Sequence, residues 1–176
     1  MVAVHGRTYK QSHSGEVNRD FISRVKQALG EKCLVLGNGG IKSYEQAISH
    51  QQEVDGVMIG QSAIGWPWIF TDHEPTHAER KDLALKHLRL VIACELYLKK
   101  HQDFESVFRM PMREELDHIA QHLDTSTEEN LRSPIEFRKY LFNYVTGLVG
   151  NKEFKQRVAQ MKDWRAIEEE IEGFLG

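Results

Sequence analysis

At 176 residues, 40% of them hydrophobic and 28% charged, the chain has the make-up of an ordinary globular protein of one domain or two small ones. Its formal net charge of −3 argues against a strongly basic nucleic-acid binder. The balance holds on both sides of residue 70: seven Lys/Arg against six Asp/Glu in residues 1–70, and sixteen against twenty beyond. Contact with RNA would therefore have to come from a local patch, because phosphate neutralisation depends on where the charges sit. Cys33 and Cys94 lie far apart and form no CxxC pair, which argues against a disulfide framework or a cysteine zinc site. No apolar run is long enough to span a bilayer, and the first residues lack the regions of a signal peptide. A soluble, cytoplasmic protein without a membrane partner is the expectation.

Along the chain, short β-rich runs first alternate with helical stretches. Val2–Val4, Cys33–Leu36 and Gly56–Ile59 read as strands, with helices expected over Asn18–Leu29 and Ser43–His50 and a short segment from Ser62. Phe21, Ile22, Val25 and Leu29 fall at helical spacing, with Asn18 as cap and Gly30 as stop. Ser43-Tyr44-Glu45-Gln46 fits a capping box. This alternation indicates parallel βαβ units. After residue 70 the strand signals end. Thr76-x-x-Glu79 caps a helix reaching about Lys100, and a shorter helix after Pro111 carries Leu116, Ile119 and Leu123 on one face. Ser133-Pro134-Ile135-Glu136 opens another helix with Ser133 as its cap, which Gly147 ends. Asp163 starts a last one with Trp164, Ile167, Ile171 and Phe174 inward. Residues 101–132 read as a polar connection around one helix. Three parallel strands leave two open edges and an uncovered apolar face, so residues 1–70 look like part of a larger sheet.

Two consecutive strands end in glycine-containing turns, Gly37-Asn38-Gly39-Gly40 and Gly60-Gln61-Ser62. Glycine lets backbone N–H groups approach an anion, and a following helix N-terminus adds a favourable dipole. Either turn alone reads as simple punctuation; on adjacent strands the pair suggests a phosphate site. His5-Gly6-Arg7-Thr8 follows the first strand directly, offering an imidazole and a guanidinium at a strand end. The pairs His73/His77 and His118/His122 have i, i+4 spacing but no third ligand, so no metal is assigned. Glu168-Glu169-Glu170 reads as a solvated face, and Trp66-Pro67-Trp68-Ile69-Phe70 as a packed hinge rather than a base-stacking platform.

His5-Gly6-Arg7-Thr8 with Gln11 and Gly15, Gly37-Asn38-Gly39-Gly40-Ile41, Asp55-Gly56-Val57-Met58-Ile59-Gly60 and Pro67-Trp68-Ile69-Phe70 closely resemble, in order and spacing, the last three barrel units of tRNA-dihydrouridine synthases, most of all the bacterial B-type enzymes. Phe137-Arg138-Lys139-Tyr140, Tyr144, Gly147 and the helix after Asn151 resemble that family's C-terminal helical domain. The resemblance implies an α/β plus all-α chain: the last three βα units of a (β/α)8 TIM barrel in residues 1–70, then a helical tRNA-binding domain in 71–176 with an insertion near 101–132. It implies an oxidoreductase that reduces uridine to 5,6-dihydrouridine in tRNA, with FMN as cofactor and NADPH as reductant.

Carried over by position, His5, Asn38, Gly39, Gly40, Gly60 and Gln61 would hold FMN, while Arg7, Arg138 and Lys139 would face tRNA. Gly40 stands where the family usually has Asp and Gln61 where it has Arg. Losing that Arg removes a charge-assisted contact of about 1.5–3 kcal/mol. The family's catalytic Cys belongs to an earlier part of the barrel, so no catalytic residue is assigned here, and Cys33 and Cys94 are expected to be buried small hydrophobes. A C-terminal fragment of this kind is expected to bind FMN weakly, and to self-associate through residues 1–60 or pair with the N-terminal half. Two alternatives stay open: another FMN barrel such as a dihydroorotate dehydrogenase, and a non-catalytic RNA- or partner-binding helical module.

Overall fold

The computed structural model describes residues 1–12, 14–101, 112–124, 126–127 and 131–176. These form two compact units, Met1–Glu74 and Pro75–Gly176.

The first unit is a three-stranded parallel sheet in the order β1 (Val2–His5), β2 (Val35–Asn38), β3 (Gly56–Met58), with α1 (Arg19–Leu29) and α2 (Tyr44–Gln51) as crossovers. Sequential strand order with right-handed crossovers puts both helices on one face. Ile22 of α1 and Val54, just before β3, meet there over Gly37, and Val35 on the same face is fully buried. The opposite face carries Ala3, Leu36 and Gly56, then His5, Asn38 and Met58, paired by register. Met58 is 41% exposed there.

Asn18 caps α1 by accepting from Phe21 N at 2.8 Å, and Gly30 stops it at φ +54. Phe21 faces solvent, however, leaving Ile22 as the buried contact of this helix. Ser43 caps α2, but the expected capping box is only half made: Gln46 Oε1 accepts from Lys42 N at 2.9 Å, one residue earlier than the box requires. β2 also begins two residues later than its sequence suggests. The Asp55 carboxylate takes Val35 N at 2.7 Å and Lys26 Nζ at 2.8 Å, which sets the start of the strand, while Leu34 is left 58% exposed.

The second unit is helical: α3 (His77–Lys100), α4 (Met112–Gln121), α5 (Ser133–Tyr144), α6 (Asn151–Gln160) and α7 (Trp164–Leu175). Thr76 and Glu79 complete a capping box at the start of α3. Arg80, Ala84, Leu88 and Ile92, spaced four apart, form the buried stripe of α3. It packs on α4, α5 and α7, where Phe137, Leu141, Ile167 and Ile171 are buried. The Arg80 guanidinium donates to Tyr144 O at 3.4 Å and Thr146 O at 3.3 Å, satisfying carbonyls at the end of α5.

Ser133 does not cap α5. The Glu95 carboxylate of α3 does, accepting from Arg132 N at 3.1 Å and Ser133 N at 2.7 Å. Asp163 caps α7 as expected, but Leu175 rather than Phe174 completes its buried stripe; Phe174 stacks on Phe154 with ring centroids 4.4 Å apart. On α4, Leu116 and Ile119 are half-buried and Leu123 beyond it is buried. Pro111 and much of the expected 101–132 insertion lie outside the described residues. Among the described residues no helix is long and apolar enough to cross a membrane.

Candidate functional site

Parallel strands expose their C-terminal ends along one side of a sheet, and here register aligns His5, Asn38 and Met58 across all three. His5 Nδ1 accepts from Arg7 N at 3.1 Å, which places the ring proton on Nε2. Asn38 Nδ2 lies 3.5 Å from Met58 Sδ, spanning β2 and β3. The chain then turns through Gly39 at φ +116 and Gly40 at φ +74, a conformation that side chains rarely adopt. A Cβ on Gly39 would lie 2.9 Å from His5 Cε1, and one on Gly40 would lie 2.8 Å from Val17 Cγ2 and 3.8 Å from Arg7 Nη2. The β1 loop therefore rests directly on the bare backbone of the β2 turn.

That loop is built to stay there. Gly6 N donates to Asn38 O at 3.1 Å, and Asn18 N donates to Gly6 O at 2.7 Å. Gln11 Oε1 accepts from Thr8 N at 2.8 Å, and the Arg7 Nε–H donates to Gly15 O. A Cβ at Gly6 would come within 2.5 Å of Val17, so only glycine fits.

Gly60 differs from Gly39 and Gly40: its φ is −104, and an added Cβ would meet nothing within 4 Å. Gln61 is exposed and carries no charge. The β3 turn reaches the β2 turn instead through Ser62, whose Oγ donates to Ile41 O at 2.7 Å. Ser62 was not singled out from sequence, where a serine after Gly-Gln carries no sign of its partner 21 residues earlier. Thus the structure brings His5, Arg7, Asn38, Gly39 and Gly40 together and ties Gly60–Ser62 to them through one hydrogen bond.

Neither cysteine is a buried small hydrophobe as expected. Cys33 is half-buried just before β2, on the side of the sheet away from the strand ends, and Cys94 is exposed on α3. The Trp66 and Trp68 rings meet edge to face at 5.3 Å, with Ile69 buried beside them.

In the helical unit, Arg138 Nη1 donates to Ala159 O at 2.9 Å, tying α5 to the end of α6. Lys139 is exposed, with its ammonium 4.8 Å from the Tyr140 ring centroid. Beside them His87 lies against Phe137, Tyr140 and Tyr144, with its Nδ1 3.0 Å from the Tyr144 hydroxyl. Burial pushes the His87 imidazole below its ordinary pKa, and burial, aided by Tyr140, pushes the Tyr144 hydroxyl up to about 12. Both groups are therefore neutral near pH 7. The acidic run on α7 is not a solvated face: Glu168 pairs with Arg89 at 2.6 Å and Glu170 with Arg157 at 2.5 Å, leaving Glu169 exposed. The His118 and His122 rings meet tilted by 35° with centroids 4.1 Å apart, and among the described residues no three His, Cys, Asp or Glu side chains are grouped to hold a metal.

The model of the dihydrouridine synthase family matches residues 1–172. A probable tRNA-dihydrouridine synthase of Rickettsia prowazekii is 33% identical over 179 residues, covering 99% of this chain and 46% of that protein. tRNA-dihydrouridine synthase B of Pseudomonas aeruginosa is 32% identical over 165 residues, 92% of this chain and 42% of that protein. A probable tRNA-dihydrouridine synthase of Aquifex aeolicus is 24% identical over 98% of this chain. The chain spans about half the length of the curated relatives it matches. With the glycine turns and the His5–Arg7 loop meeting at the strand ends, the match over nearly all its residues places the chain in the dihydrouridine synthase family.

Proposed function

We propose that the chain forms part of a flavin-dependent tRNA-dihydrouridine synthase, with β1–β3 as a segment of a (β/α)8 barrel and the helical unit as its tRNA-binding domain. One observation carries the reading: a glycine turn with two positive-φ residues lies under an imidazole and a guanidinium at the ends of parallel strands, where barrel active sites sit. The residues fit FMN. Gly39 and Gly40 form a positive-φ turn whose bare backbone lies beside His5 and Arg7, Asn38 offers an amide, and Gly60 and Gln61 sit on a turn held to Ile41 by Ser62. The neutral Gln61 supplies no charge toward a phosphate.

When bound, FMN supplies the hydride that NADPH provides and that reduces one carbon of the uracil double bond. The residues of this chain bind and orient. His5, its Nδ1 occupied by Arg7 N, presents Nε2–H as a donor fixed in direction. No residue here is assigned to deliver the proton to the other uracil carbon: Cys33 lies just before β2, at the opposite end of the strand, and Cys94 belongs to α3 of the helical unit. Lys139, exposed beside Tyr140, is the group of the helical unit best placed to meet a phosphate backbone. Arg138 has one guanidinium nitrogen engaged with Ala159.

Titrating the full chain with FMN while recording backbone amide resonances tests this reading. Shifts should concentrate at residues 5–7, 38–41 and 60–62. Shifts confined to the helical unit would favour a non-catalytic binding module and overturn the flavin assignment.

A further inference from the structure

Arg7 is expected from sequence to face tRNA, but its surroundings favour a different ligand. Its Nε–H is pinned to Gly15 O, which fixes the plane of the guanidinium and leaves both terminal nitrogens without a hydrogen-bond or ion-pair partner among the described residues. One of them, Nη2, lies 3.8 Å from the position a Cβ on Gly40 would take. Among the described residues no hydrogen bond engages the N–H of Gly40, an exposed residue, or of Ile41, which is 5% exposed. Consecutive N–H groups in a turn of positive-φ residues form a concavity that receives anions. Among the described residues no carboxylate pairs with the guanidinium.

Resting on the flavin reading above, we propose that Arg7 is a cofactor-phosphate ligand rather than an RNA contact. It acts with the Gly40–Ile41 N–H groups and provides the positive charge that Gln61 does not. The ligand class is a phosphate monoester, as on a mononucleotide. A forked guanidinium suits it because two N–H groups can meet two phosphate oxygens at once. Glycine at position 40 permits the arrangement, since its φ of +74 disfavours a side chain and a Cβ would lie 2.8 Å from Val17 Cγ2 and 3.8 Å from Arg7 Nη2.

The test uses the full chain and inorganic phosphate, followed by the amide resonances of Gly39, Gly40 and Ile41. Wild type should give saturable shifts there. Arg7→Gln should weaken apparent affinity about tenfold or more, and Arg7→Lys should fall between the two, keeping the charge without the fork. Unchanged resonances of Val35 and Leu36 report that the sheet is intact in each variant. No response in wild type, or an equal response in Arg7→Gln, overturns the proposal. Two further arms separate it from the flavin reading and from RNA. FMN preferred over riboflavin to the same degree in wild type and Arg7→Gln leaves the flavin reading standing and removes Arg7 from it. Arg7-dependent phosphate binding without FMN binding keeps the anion site and sinks the flavin reading. A uridine dinucleotide, which offers only a phosphodiester, should not compete with phosphate; competition would return Arg7 to RNA and overturn the assignment.

Discussion

The two units bury their apolar surface differently. In the helical unit the core runs unbroken through Leu88, Ile92, Phe137, Leu141, Phe154, Val158, Ile167 and Ile171, all at or near zero exposure. Among the described residues of the sheet unit the buried apolar side chains are fewer: Val35 and Ile22 on the helix-covered face, Ile41 after the glycine turn, Ala47 of α2 and Ile69 beside the tryptophans. The other sheet face keeps Ala3, Leu36 and Met58 partly open around His5 and Asn38. Parallel sheets are ordinarily covered on both faces. One unit therefore carries its stability inside itself, while the other leaves much of its apolar surface on the face that carries the candidate site. Stability and site are divided between them.

The largest effect should come from emptying the helical core. Leu88→Ala removes a side chain with zero exposure and should cost about 3 kcal/mol by chemical denaturation. Hydrogen exchange should echo it: core amides of α3, α5 and α7 open only with global unfolding, whereas those of β1 and β3 open at lower free energy. Equal protection in both units would break the comparison.

Next comes the turn on which the site rests. Gly40→Ala forces a side chain into φ +74 and against Val17, which should cost about 2 kcal/mol of local stability. The loss should appear in the sheet unit's amides and leave those of the helical unit unmoved.

Glu95→Gln tests the tertiary cap of α5 and should cost about 1–2 kcal/mol. Partial burial works against the Glu95 charge, yet the N–H groups of Ser133 and Arg132 hold its carboxyl below the usual glutamate range. A lowered folded pKa contributes stability that is complete above the unfolded value, about 4.3, and is lost as pH falls through the folded one. The variant should therefore flatten the acid limb of the stability curve. An unchanged limb would mean the cap carries little of it.

The smallest effects separate Arg138 from Lys139. Arg138→Ala loses the bond to Ala159 O and should cost about 1 kcal/mol, so its effect on RNA binding would mix folding with contact. Lys139→Ala should leave stability within about 0.5 kcal/mol. If Lys139 meets a phosphate, that variant lowers the salt slope of tRNA binding by about one. An unchanged slope would place the RNA contact elsewhere.

Devices that close within one or two turns of chain were legible in the amino-acid sequence. Asn18 as cap and Gly30 as stop of α1, the Thr76–Glu79 box, Asp163 and the glycine turn at 39–40 all stand where their residue types put them. Each rests on a hydrogen bond or dihedral that neighbouring residues set by themselves. The parallel βα alternation and the places of His5 and the glycine turn at strand ends were legible for a related reason: strand ends come together whenever the strands pair. Tertiary structure alone decided the rest. Glu95 displaced Ser133 as the cap of α5 from 38 residues away, Asp55 set the start of β2 across 20, and Ser62 found Ile41 across 21. Arg89 and Arg157 drew Glu168 and Glu170 out of solvent, and the Arg7 guanidinium came to lie beside the Gly40 turn. A side chain's local pattern states what it can bond, but which partner it meets depends on the packing of distant elements, and no spacing along the chain encodes that distance.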